Sequence, residues 1–294
     1  MYPGSLARVT CGLTLAAILL LLNAPCLWAT TIHPQLVEAH ITNPDMIYEL
    51  SKFRSGAGHD FSYDPSFAYA GEYFGATDST EPDSSMKHYY VPYLAYKGDQ
   101  LTVPVFAPFD GTFTRVTEEV HPDDATKINK RIELTSADDS DYIAVLFHLN
   151  LDHDYPQILN DWPAALWPAH QPDDSSYLTD TVSAGDFLGY ADMRISNDFD
   201  VAILYEVSAM EKYWISLYDL MPNSLFESYQ NRGASRAAMS FTKSERLADP
   251  VTWWGGRNDE DWLTLNQVPE RSTLSLSLCG LLVLLLMRRY PPRF

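Results

Sequence analysis

Basic residues are scarce in this chain. Its 294 residues include 20 Lys and Arg against 39 Asp and Glu, a formal net charge of -19. A surface with that excess repels phosphate backbones, which argues against nucleic acid as a partner. Cysteine is scarcer still. Only Cys11, Cys26 and Cys279 occur, all within the two apolar ends, so the segment between those ends has neither a disulfide nor thiolate chemistry. No internal repeat is present, and the long apolar runs are confined to the same two ends.

At the N-terminal end a single cation, Arg8, precedes an apolar run from Leu13 to Leu22, then a polar break and Ala29. That order predicts a secretory signal peptide with its signal helix over residues 1–30, outside the fold. Pro25 directly before Cys26 does not suit a lipoprotein cleavage site. At the other end an apolar run from Leu274 to Met287 is followed at once by Arg288 and Arg289. This predicts a short transmembrane helix with a positive cytoplasmic stop. Setting both ends aside removes five arginines and one acid, leaving 15 basic against 38 acidic residues, a net charge of -23 over about 240 residues. Such acidity reads as solubility outside the cell, with local divalent-cation sites as the alternative.

Within residues 31–53, Asn43 or Asp45 opens a short helix predicted over Asp45 to Lys52. Gly56-Ala57-Gly58 then sets His59 and Asp60 on a tight turn where backbone can approach a ligand. Residues 65–85 read as a surface loop, and Met86 to Tyr96 as an aromatic-rich strand pair. Val103 to Gly189 holds an alternation at Arg131 to Leu134 and a β-rich run at Tyr142 to Leu149. It predicts short strands joined by glycine turns, a compact β-barrel or sandwich. A long irregular stretch, residues 150–181, carries Trp162, Trp167, His153 and His170; its tryptophans would either stack on sugars or pin the loop. A strand ending near Val207 follows, then a helical region over Ile215 to Ser228 broken by Pro222, and a packed turn at Trp253-Trp254-Gly255-Gly256.

Two resemblances bear on function. Val268-Pro269-Glu270, the apolar helix and the terminal arginines resemble the PEP-CTERM sorting signal, with Arg271 where that family usually has a second proline. The resemblance implies an exosortase-like processing enzyme as partner, membrane attachment through the C-terminal helix before processing, and release to the cell surface or extracellular matrix. A plain C-terminal anchor is the alternative. The central segment, through Val105, Ala107-Pro108, Asp110-Gly111-Thr112, Phe147-His148-Leu149 and Val182 to Gly189, resembles the lysostaphin-type zinc endopeptidases over residues 54–207. It implies a lysostaphin-like barrel–sandwich hybrid, mainly β, with flanking helices and long loops. Carriers of biotin or lipoate share the spelling, but the Met86-Lys87 pair precedes the barrel instead of lying in a hairpin within it.

The family takes its metal from a His-x-Gly-x-Asp motif and from the second histidine of a His-x-His strand. Here Gly56 stands where the first histidine belongs, and Asp198-Phe199-Asp200 stands in place of the second motif. His148 matches the family's catalytic histidine. The resemblance thus implies either a rebuilt site, with His59, Asp60 and Asp200 as metal ligands, His88 and Asp198 as further candidates and His148 as proton carrier, or a scaffold without catalysis. A carboxylate-rich set shifts preference from zinc toward another divalent cation such as calcium or manganese. His59-Asp60 as a purely structural turn stays open. The expected organisation is a signal peptide (1–30), an N-terminal extension (31–53), the β domain (54–207), a helical or irregular extension (208–267) and the sorting signal (268–294). The expected function is a surface-sorted envelope protein binding or helping remodel peptidoglycan or exopolysaccharide. The alternatives are a metal-dependent peptidoglycan endopeptidase and a structural matrix protein.

Overall fold

Tyr142 to Leu149 is apolar on nearly every position, the composition of a strand covered on both sides. In the computed structural model this run lies inside a single antiparallel sheet of 11 strands. The structure describes residues 33–63, 76–96, 103–121, 124–151, 181–193, 198–208, 210–252 and 257–267, with backbone alone at 117–121, 124–129 and 151. The signal segment, Trp162, Trp167, His153, His170, the Trp253 turn and the sorting residues Val268, Pro269 and Glu270 lie outside the described residues.

The strands are β1 (Ile47–Ser51), β2 (His88–Pro92), β3 (Pro104–Phe106), β4 (Gly111–His121), β5 (Asp124–Ser136) and β6 (Tyr142–Leu151), then β7 (Thr181–Val182), β8 (Phe187–Ala191), β9 (Phe199–Ser208), β10 (Glu211–Ile215) and β11 (Trp262–Thr264). Their order is β11-β1-β2-β9-β6-β5-β4-β7, with β10 also paired to β9, β8 to β6 and β3 to β8. The described α-helices are α1 (Asn223–Gln230) and α2 (Lys243–Ala248). Among the described residues no helix is long and apolar enough to cross a membrane.

Strand length departs from the sequence reading. β4, β5, β6 and β9 run 11, 13, 10 and 10 residues, because each has a long partner whose ladder keeps propagating. The predicted helix over Asp45 to Lys52 is a 3-10 turn at Pro44–Met46 followed by β1. Asn43 does cap that turn, accepting from the Asp45 N–H at 3.0 Å, but Ile47 and Leu50 are buried by pairing with β2 and β11. The strand pair predicted over Met86 to Tyr96 is one strand, β2, and a 3-10 turn at Leu94–Tyr96. The helical region predicted from Ile215 starts slightly later, since Ile215 closes β10: a 3-10 turn at Leu217–Asp219 precedes Pro222, and α1 follows it.

Alternation divides the sheet into two buried faces. Ala144, Leu146, Ile132, Leu134, Val201 and Ile203 share one with Tyr90, Tyr218 and Phe226. Ile143, Val145, Phe147, Ala202 and Leu204 share the other with Phe53, Met86 and Trp214. Burying each such side chain contributes about 1.5–3 kcal/mol, so the second face is a core too. The C-terminal extension belongs to the same sheet through β10 and β11. Arg232, fully buried, holds it there by donating to the carbonyls of Asn266 at 2.8 Å and Ile47 at 2.6 Å, to that of Pro44, and to the Tyr93 hydroxyl.

Candidate functional site

The second face carries the polar groups. On β9 the pleat that turns Ala202 and Leu204 to this face turns Asp200 the same way, and Asp200 is wholly buried. Its cross-strand partner on β2 is Tyr89, so Tyr89, and Lys87 two residues before it, share the face while His88 and Tyr90 point away.

His148 reaches this face by a bulge. Even-numbered residues of β6, Ala144 and Leu146, point into the main core, and strict alternation would send His148 with them. Ile132 pairs with Leu146, yet Lys130 pairs with Leu149, so β6 advances three residues while β5 advances two. The extra residue is taken up at His148, whose φ is 58°, in the left-handed region. Leu149 thereby returns to the main core, and His148 swings toward Asp200, with Nε2 3.1 Å from Oδ1 and its side chain 26% exposed. A non-glycine residue in this conformation inside a strand is costly and marks a re-aimed side chain.

Lys87 lies at the centre. Its Nζ is 2.8 Å from Asp200 Oδ2 with only 3% of the side chain exposed, and 3.5 Å from His59 Nε2. The rings of Phe147 and Phe61 flank it, their centroids 3.7 Å and 4.1 Å away. Asp200 thus lies within ion-pair reach of both Lys87 and His148, one on each carboxylate oxygen. Burial acts to raise the Asp200 pKa, but Lys87 and His148 outweigh it and hold the carboxyl well below the usual carboxylate range.

His59 is set by Gly58, whose φ is 71°. A Cβ there would lie 2.2 Å from the Tyr89 hydroxyl oxygen, so only glycine lets the turn press onto Tyr89 and put His59 beside Lys87. His59 Nδ1 lies 2.9 Å from the Asp60 carbonyl. A carbonyl only accepts, so Nδ1 carries the proton and the Nε2 lone pair faces Lys87. Burial and the neighbouring Lys87 lower the His59 pKa.

The other candidates are placed differently. Asp60 Oδ1 accepts from the Ser62 N–H, the Ser62 hydroxyl and the Ser84 N–H, at 2.7–3.2 Å, which ties two loops together. His88 is buried on the opposite side, its Nδ1 donating to the Ser51 carbonyl at 3.0 Å and its Nε2 accepting from the Ser216 hydroxyl at 2.8 Å. Burial pushes its pKa down to about 4, so it stays neutral. Asp198 is half-buried and close enough to Tyr89 to help raise the phenol's pKa, after burial and Asp200. Thus His59, His148 and Asp200 converge, Asp60 and His88 are engaged elsewhere, and the central Lys87 has no counterpart in the sequence reading.

Farther along the same face, Glu133 is buried beside Arg131, 3.1 Å away, and Arg115. Burial pushes its pKa up to about 7 despite both arginines. The Arg131 guanidinium lies 5.6 Å from the Phe147 ring, linking this cluster to the Lys87 pocket.

The zinc implied by the peptidase resemblance does not fit this donor set. Asp200 Oδ2 and the His59 Nε2 lone pair, the donors a metal needs, both face the Lys87 ammonium. Among the described residues no group of three or more His, Cys, Asp or Glu could hold a metal ion. No family model matches this chain, and no curated protein or solved structure matches it either.

Proposed function

We propose that the chain is an exported, surface-sorted cell-envelope protein whose β domain is a non-catalytic, peptidase-like module that binds or helps remodel peptidoglycan or exopolysaccharide. The supporting observation is the Lys87 ammonium 2.8 Å from Asp200, inside the constellation that a metallopeptidase would give to its metal. On this reading the sheet is a barrel–sandwich hybrid related to the lysostaphin type, with His59 and His148 at its polar rim. The signal segment and the Val268-Pro269-Glu270 tail supply export and sorting. The processing partner is an exosortase-like enzyme, and the tail helix is the inner-membrane anchor before cleavage.

The test is co-sedimentation of the full chain with purified peptidoglycan and, separately, exopolysaccharide, with and without chelator. Pelleting in both conditions is expected, and absence of pelleting with either polymer removes the reading. Sorting is checked by mass spectrometry of the exported protein, whose mature form should lack the tail beyond Pro269; an intact C-terminus counts against it.

A second reading, an endopeptidase with His148 as proton carrier, is favoured by the left-handed His148 held against Asp200. It predicts fragment release from peptidoglycan that His148→Ala abolishes while the fold is retained.

A further inference from the structure

We infer that the Lys87 ammonium is the resident cation of this site, standing where the peptidase resemblance implies a divalent metal. The inference rests on the peptidase-like reading of the β domain and replaces the cofactor open in that reading with a side chain. Three observations carry it. Lys87 precedes β2 in the pleat register that gives Tyr89 to the Asp200 face, so its stem runs through the second core and delivers Nζ to Oδ2 at 2.8 Å. The hydrogen bond at His59 Nδ1 leaves the Nε2 lone pair toward the same Nζ, 3.5 Å away. Phe147 and Phe61 close the remaining directions with ring faces. Aromatic faces suit an ammonium but give a metal no donor atom.

A metal ion at this point would face a buried positive charge and would have to displace it. Lys87 instead neutralises Asp200 permanently, and Asp200 holds His148 at 3.1 Å. The site therefore keeps its arrangement at any divalent-cation concentration.

Elemental analysis and thermal melting of the full chain, as wild type, Lys87→Met, and Lys87→Met with Asp200→Asn, test this. The wild type should carry no stoichiometric zinc, manganese or calcium, and its Tm should not move with chelator or added zinc. Lys87→Met strands a buried carboxylate and should lower Tm on the order of 10 °C, most of which the neutral double variant restores. Stoichiometric metal that chelator removes with a fall in Tm overturns the inference, whatever the variants do. So does a Lys87→Met protein as stable as the wild type. If Lys87→Met does not fold, the wild-type metal content and the double variant's Tm still decide. Pelleting with peptidoglycan is scored separately: its loss in a metal-free, Lys87-dependent protein removes the envelope ligand and leaves the resident cation.

Discussion

His88 and Glu133 titrate in opposite senses over the same pH range. For His88 the folded pKa is lowered from 6.5 to about 4, so the unfolded chain binds the extra proton and stability is lost as pH falls from 6.5 toward 4. For Glu133 the folded pKa is raised from 4.5 to about 7, so the folded chain binds the extra proton and stability is lost as pH rises through that interval. The lowered pKa of Asp200 matters only below about pH 4, where its contribution falls away as the pH drops. These two groups offset one another between pH 4.5 and 6.5, and the lowered pKa values of His59 and His40, both held down chiefly by burial, leave stability rising with pH over that interval. Glu133→Gln removes the opposing group, and stability should then climb more steeply than in the wild type, by about a further 2–3 kcal/mol across that interval. Urea melts at half-unit pH steps check this, and a variant profile no steeper than the wild type's rejects it. Neither shift was legible in the sequence, where His88 looked like a site candidate and Glu133 like one polar position in an alternation. Burial set by distant strands decides both.

At the scale of the element, the bulge in β6 decides what His148 faces. Its φ of 58° costs any residue with a Cβ about 1–2 kcal/mol and costs glycine little. His148→Gly should therefore be more stable than His148→Ala by about 1 kcal/mol. Both lack the imidazole, so their difference in urea midpoints isolates the backbone, and equal midpoints would mean the bulge has relaxed. The sequence does not mark the bulge, because Tyr142 to Leu149 is apolar at every position but His148 and offers no alternation to break. Nor does it say which residue is extruded. The pairing of Lys130 with Leu149 answers it, and it requires β5 beside β6. β1 shows the same limit: Asn43 and Asp45 carry helix-start chemistry, which a 3-10 turn satisfies before pairing with β2 and β11 takes over.

At the scale of the whole molecule, Arg232 joins the C-terminal extension to residues 44–47 through carbonyls alone. Arg232→Met should lower hydrogen-exchange protection at Leu265 and Asn266, whose amides bond to the Tyr48 and Arg232 carbonyls, by about 10- to 100-fold, while β5 and β6 amides change far less. Uniform loss across the sheet would instead make Arg232 a determinant of global stability. The sequence by itself determined the mainly-β class, the acidity and the thiol-free body, since composition and period-two patterning are local properties of a chain, whereas the candidacy of His59, His148 and Asp200 was implied by the resemblance to the lysostaphin-type peptidases. Only the tertiary structure decided that Asp60 ties two loops, that His88 faces away, and that Lys87 lies between His59 and Asp200. Lys87 and Asp200 are separated by more than 100 positions and meet only because β2 pairs with β9. Which charges neutralise one another is set by sheet order and register, and these depend on all the strands at once.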